Sequence, residues 1–141
     1  MFKGLFLSLI FTITLPLSAF ATTSNDIIEK YIPDAQKIGE GRLSVFLADV
    51  YDAELFANNQ NSIAQNKPPY ALTLSYLRPL KSETIAKRSA KEMRNIGLDD
   101  ELKIAAWHEK MRKIFPDVKD GSSITGIYTA DKQTIFLSKQ Q

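Results

Sequence analysis

Arg42 and Arg78 are the side chains best suited to chemistry, because each sits within or at the end of an otherwise apolar, strand-like run. A guanidinium in such surroundings demands a carboxylate or several other acceptors. Tyr51 and Tyr76 fall in neighbouring runs, and each brings a hydroxyl able to bond an oxyanion. Arginine with tyrosine at the mouth of an apolar pocket makes a constellation that grips a carboxylate. The same pattern suits a structural ion pair, with Asp49, Asp52 or Glu54 as partner. Sequence leaves both readings open.

Other candidates have plainer explanations. His108 is the only histidine, and beside Glu109 and Lys110 on the polar side of a helical pattern it reads as surface. A single histidine and no cysteine argue against a metal site and exclude thiol chemistry. Asp99, Asp100 and Glu101 stand at a helix start, where capping and the helix dipole account for them. Lys87, Lys91 and Arg94 form a helical stripe that could meet anionic headgroups. A solvated face laced by Glu83–Lys87 and Arg88–Glu92 pairs is the simpler account. Gly121 to Gly126 lacks the lysine and following helix of a phosphate loop. No cofactor is implied.

The elements that position these residues follow from periodicity. Thr22 to Asp26 reads as a loose polar leader, and Pro33 breaks any helix begun at Ile27. Gly39 and Gly41 read as a turn into a strand region, Arg42 to Ala57, with Asp49 marking a turn or bulge. Asn58 to Pro69 is a polar loop. Tyr70, Leu72, Leu74 and Tyr76 share one face of the next strand. Ser82 is expected to cap a helix carrying Ile85, Ser89, Met93 and Ile96 on one stripe, with Gly97 as its C′ residue. Asp99 is expected to cap a second helix with Ile104, Trp107, Met111 and Ile114 aligned. Thr125–Tyr128 and Thr134–Ser138 suit a hairpin. Strands, two adjacent helices and a hairpin together predict an α+β fold: an antiparallel sheet with helices packed on one face.

Bulk properties narrow the class. Lys3, the apolar run Leu5 to Phe20 and Ala19-Phe20-Ala21 form a secretory signal, with cleavage expected after Ala21 and periplasmic export. The apolar run is shorter than the roughly 20 residues of a membrane span, and no second segment qualifies as an integral membrane segment. Cleavage removes 21 of 141 residues and leaves 120, one domain with a single core. The mature balance becomes 17 basic against 16 acidic residues, since only Lys3 is lost, so no nucleic-acid partner is expected. Without cysteine the domain must cohere by packing, which 44% hydrophobic residues allow.

Six pieces in order resemble a known family. They are Gly39-Glu-Gly-Arg42-Leu-Ser-Val, Val50-Tyr-Asp-Ala-Glu-Leu-Phe56, Leu74-Ser-Tyr-Leu-Arg-Pro-Leu80, Arg88-Ser89 with Glu92-Met93, Ala106-Trp107, and Ile114-Phe-Pro-Asp-Val118. Together they look like the bacterial chalcone isomerase-like domain, from about Ile38 to Leu137. The resemblance implies an open-faced antiparallel β-sandwich with a ligand cleft between sheet and helices. It implies a domain over 38–141, after a leader at 22–37. Plant members close a flavonoid ring with an arginine, a threonine, a tyrosine, a lysine and an asparagine; non-catalytic relatives bind fatty acids through an arginine and a tyrosine. Carried over by motif, Arg42 takes the strand arginine position and Tyr51 falls near the threonine. Ile85, Arg88 and Glu92 replace the tyrosine, lysine and asparagine. The hydroxyl donor is thus lost from its helix, and Arg88 is no proton donor near neutral pH. Family members continue into a further acidic turn and an aromatic-rich helix, whereas this chain stops at Gln141, as a truncated copy or a short variant.

The expectation is a non-catalytic periplasmic binder of a small amphiphilic acid such as a fatty acid, or of an aromatic acid. Arg42 is its anion anchor, with Tyr51, Tyr76, Arg78 and Arg88 around the ligand and Ile85, Met93 and Trp107 in the apolar wall. An isomerase acting on a chalcone-like conjugated carbonyl, or a partner-binding module, are the alternatives.

Overall fold

The computed structural model describes residues 24–140, so the expected cleavage after Ala21 lies outside the described residues. The chain forms α1 (Ser24–Tyr31), β1 (Gln36–Val45), β2 (Ala48–Ala57), α2 (Asn61–Ala64), β3 (Tyr70–Tyr76), α3 (Ser82–Asn95), α4 (Glu101–Ile114), β4 (Ser123–Tyr128) and β5 (Thr134–Lys139). The strands make one antiparallel sheet in the order β1-β2-β3-β4-β5, each paired with its neighbour in sequence. The fold is α+β, as the periodicity predicts.

Period-2 alternation divides the sheet into two unlike faces. The row Leu43–Tyr51–Tyr76 and the row Ala53–Leu74–Ile124 share the face toward α3 and α4. The row Phe56–Ala71–Ile127–Ile135 belongs to the other face. There Ile28 of α1 and Ile32 just after it complete an apolar cluster with Phe56, Ala71 and Ile127. Thr73 and Thr125 are buried on this face and bond each other at 2.9 Å, so neither hydroxyl goes unsatisfied. Toward β1 the same face turns wet, with Lys37 bonded to Glu40 and Glu54.

On the helix side, Tyr76, Ile85, Ala86, Met111, Phe115, Val118 and Ile124 form the main core. Gly126 leaves room for Phe136: a Cβ there would come within 3.3 Å of the ring, which stacks edge-on against Phe115 at 5.0 Å. Both ends of α3 are fixed. At its start the Ser82 N–H donates to Asp117 Oδ1 (2.8 Å) and Lys81 Nζ to Oδ2 (2.9 Å). Leu80 and Val118 exchange backbone bonds beside this cap. At its end Gly97 (φ 100°) bonds Arg94 O and the Leu98 N–H bonds Met93 O, the double closure of a Schellman turn. Ser82 is therefore the first helical residue rather than the cap, and Asp117 supplies the missing acceptor from 35 residues away. In α4 the cap is Asp100, not Asp99, accepting from the Lys103 N–H at 3.0 Å.

Three expectations are corrected. The stretch expected to be loose, Thr22 to Asp26, overlaps α1, which begins at Ser24, and Ile28 and Ile32 just beyond it are core. Helices are not confined to one face, since α1 covers the other. Gly39 and Gly41 lie inside β1, and the reversal into β2 comes at Phe46 and Leu47, with Asp49 in β2 beside a bulge. Both turn residues have positive φ (49° and 66°) and are fully exposed. Such two-residue turns favour Asn-Gly, so the pattern carried no turn signal.

Ile32→Ala should destabilise the domain by about 2–5 kcal/mol in urea unfolding, because it opens a cavity under α1. A leader outside the core would give almost no change. The Phe46→Asn/Leu47→Gly double variant should instead gain about 1–2 kcal/mol, since it relieves left-handed strain at the turn.

Candidate functional site

The site begins with the parity of the strands. Leu43, Tyr51, Leu74 and Tyr76 face α3, whose own sheet-side surface carries Ile85, Arg88, Ser89, Glu92, Met93 and Ile96. Ala86 packs on Met111 and Phe115, so α3 turns one side to the core and another to the sheet. The second side holds too many polar groups to collapse onto the strands. A predominantly apolar cavity of about 590 Å³ remains between them.

Tyr51 and Tyr76 are cross-strand partners with rings edge-to-face, centroids 5.9 Å apart. Tyr76 is buried, and its hydroxyl has no hydrogen-bond partner among the described residues. Burial, with a smaller contribution from Tyr51, pushes its phenol up to about 12. Arg78 lies exposed on the rim, just beyond β3, and no carboxylate reaches it among the described residues. Arg88 lines the roof with its charge already matched: Nε stands 2.7 Å from Glu92 Oε1, one helical turn on.

Four of the five sequence candidates thus meet at one cavity: Tyr51, Tyr76, Arg78 and Arg88. Arg42 does not, and its expected role as anchor is corrected. The register pairs Arg42 with Asp52 and Leu43 with Tyr51, so Arg42 points to the opposite face. There its guanidinium grips Asp52 through two bonds (2.6 and 2.9 Å) and Asp49 through a third (3.0 Å), while Ser44 Oγ donates to Asp49 at 2.5 Å. This bonding holds the Asp52 carboxyl below its ordinary range. The ion-pair reading of Arg42 is the one this geometry matches.

Trp107, expected in the cavity wall, lies instead in a separate groove with Leu72, Gly126 and Tyr128. His108 is not free surface: its Nε2 is sealed from solvent with no hydrogen-bond partner among the described residues, 3.8 Å from Glu83 Oε1, between α3 and α4. Val45 and Val50 join the cavity although sequence gave no reason to choose them. The bulge opposite Leu43 and Ser44 lets the successive residues Val50 and Tyr51 both line it. Among the described residues no group of potential metal ligands gathers.

The chemistry available is retention of a mostly apolar guest whose negative end meets Arg78 and the two phenols. The Tyr76 shift makes alkaline pH a probe of this wall. With its folded value raised above the unfolded one, the stability that Tyr76 contributes is complete below about pH 10 and is lost as pH rises toward 12. Tyr76→Phe should therefore flatten the alkaline arm of the stability–pH curve by about 2–3 kcal/mol between those limits. Urea midpoints at pH 8 and 11 would reveal it; parallel curves for both proteins would contradict it. Set against known proteins, the chain matches no family model and no curated protein, so its site has to be read from its own geometry.

Proposed function

We propose that this protein is a chalcone isomerase-like, non-catalytic carrier of a small amphiphilic acid, such as a fatty acid, held in the cavity under α3. The observation that carries this reading is Arg78 on the rim of a predominantly apolar cavity, with no carboxylate partner among the described residues, and the Tyr51 and Tyr76 hydroxyls unpaired beside it. A cavity of about 590 Å³ falls within the range of small-molecule sites. In the assignment offered here, Arg78 replaces Arg42 as the anion anchor. Tyr51 and Tyr76 donate to the head group, and Leu43, Leu74, Ile85 and Met93 surround the chain.

The family resemblance supports the same place on different grounds. Tyr51, Ile85, Arg88 and Glu92, the positions matched by motif, all line this cavity. Arg42 is the matched position that falls elsewhere. Ring closure is disfavoured because Ile85 brings no hydroxyl and Glu92 engages the Arg88 guanidinium.

Calorimetry with dodecanoate tests the assignment. Wild type should bind, Arg78→Ala should weaken binding by about tenfold or more, and Arg42→Ala should leave it nearly unchanged. Equal loss from both variants, or none from Arg78→Ala, would refute the anchor. Catalysed cyclisation of a chalcone above the spontaneous rate would favour the isomerase instead.

A further inference from the structure

The Phe46–Leu47 turn is the most anomalous surface in the molecule. Two large apolar side chains occupy consecutive left-handed positions and are 99% and 104% exposed. The backbone cost falls away with Asn-Gly, and the exposure falls away with any polar pair, so this turn is optimised for neither stability nor solubility. Its stalk is held firmly. Arg42, Ser44, Asp49 and Asp52 form one bonded network on the outer face of the hairpin. The inner face is apolar and continuous with the cavity through Val45, Leu43 and Val50.

The same end of the sheet carries the rim. The Leu77 N–H bonds Val50 O, which places Arg78 at the hairpin's end, and the Gly121 N–H bonds Tyr76 O. Ser123 pairs with Lys139 there as well. Arg78, Lys119 and Lys139 have no ion-pair partner among the described residues, whereas Asp49 and Asp117 are both matched; the unmatched carboxylates nearby are Asp120, next to Lys119, and Asp99, three residues beyond Ile96 of the cavity wall. This end of the sheet therefore carries an apolar tip at the β1–β2 edge and an excess of unmatched cations spread from β3 to β5.

We propose that the Phe46–Leu47 tip inserts into the headgroup boundary of an anionic lipid bilayer, bringing the cavity's rim to the membrane surface. A two-residue wedge is far smaller than the roughly 800 Å² per partner of a stable protein interface. It does match the shallow depth, about 5–10 Å, at which interfacial side chains lodge. Lipid headgroups complement the three cations, and the unbroken apolar inner face gives an acyl chain a path from the bilayer toward the cavity. This goes beyond the acid-carrier reading, which the Arg78→Ala calorimetry decides separately.

Co-sedimentation with vesicles tests it, using phosphatidylglycerol–phosphatidylethanolamine against phosphatidylcholine alone. Wild type should bind the anionic vesicles and release as salt rises. The Phe46→Asn/Leu47→Gly variant should bind them at least about tenfold more weakly. That variant is expected to fold at least as well and to retain dodecanoate binding, so the loss cannot come from unfolding. Equal vesicle binding by both proteins, or no binding by wild type, overturns the inference. So does a lipid-free dimer that the substitutions turn into a monomer, because the tip would then join two copies of the chain.

Discussion

The cavity exists because the first turn of α3 is held by a residue from beyond α4. Asp117 accepts from the Ser82 N–H and from Lys81, which lowers its carboxyl below the ordinary range, and the Leu80–Val118 bridge lies alongside. This ties the crossing out of β3 to the connection leading into β4. With the Schellman closure at Gly97 and the Arg94–Glu101 pair at the far end, α3 is suspended between two fixed points. It need not settle onto the strands to be stable, because Ala86 lets it pack laterally on Met111 and Phe115. The Phe-Pro-Asp-Val segment thus has a structural task at every position: core packing by Phe115 and Val118, termination of α4 by Pro116, and capping of α3 by Asp117.

Much of this was legible, and the failures have specific causes. Element types followed from periods of 2 and 3.6, and Gly97 from its left-handed C′ position. The two cap assignments each missed by one residue, because Ser82 has an acceptor supplied from far along the chain and Asp100 stands next to an equally suitable Asp99. The tight turn at Phe46–Leu47 carried no turn chemistry at all. α1 was obscured because Ile28 sits among polar residues and Pro33 was expected to break any helix begun at Ile27, whereas the helix starts earlier, at Ser24, and ends before the proline.

The site was legible in its residue types but not in its parity. Arg42 and Tyr51 are nine residues apart, and the turn and bulge between them decide whether they share a face. One residue of slip separates an anchor inside a cavity from an ion pair outside it. Local pattern cannot fix that register, whereas Tyr51 and Tyr76 come together because the β2–β3 pairing from Tyr51 to Ala57 runs without a bulge.

The arginines show how charge matching sorts residues that look alike in sequence. Arg42 is consumed by two aspartates, Arg88 by Glu92, Arg94 by Glu101, and Arg112 by Glu109 with Glu83 close by. A guanidinium so engaged would have to give up a charge-assisted bond before meeting a guest, and much of the gain would be cancelled. Arg78 faces no such exchange. It is also the arginine placed where apolar wall meets solvent, so a guest can bury its tail without dragging its charged end out of water. A carboxylate held there keeps part of its hydration and gains a cation, which lowers the desolvation cost that a deeply buried anchor would impose. The anion site proposed here follows from availability and position together, and neither property is visible in the identity of the residue.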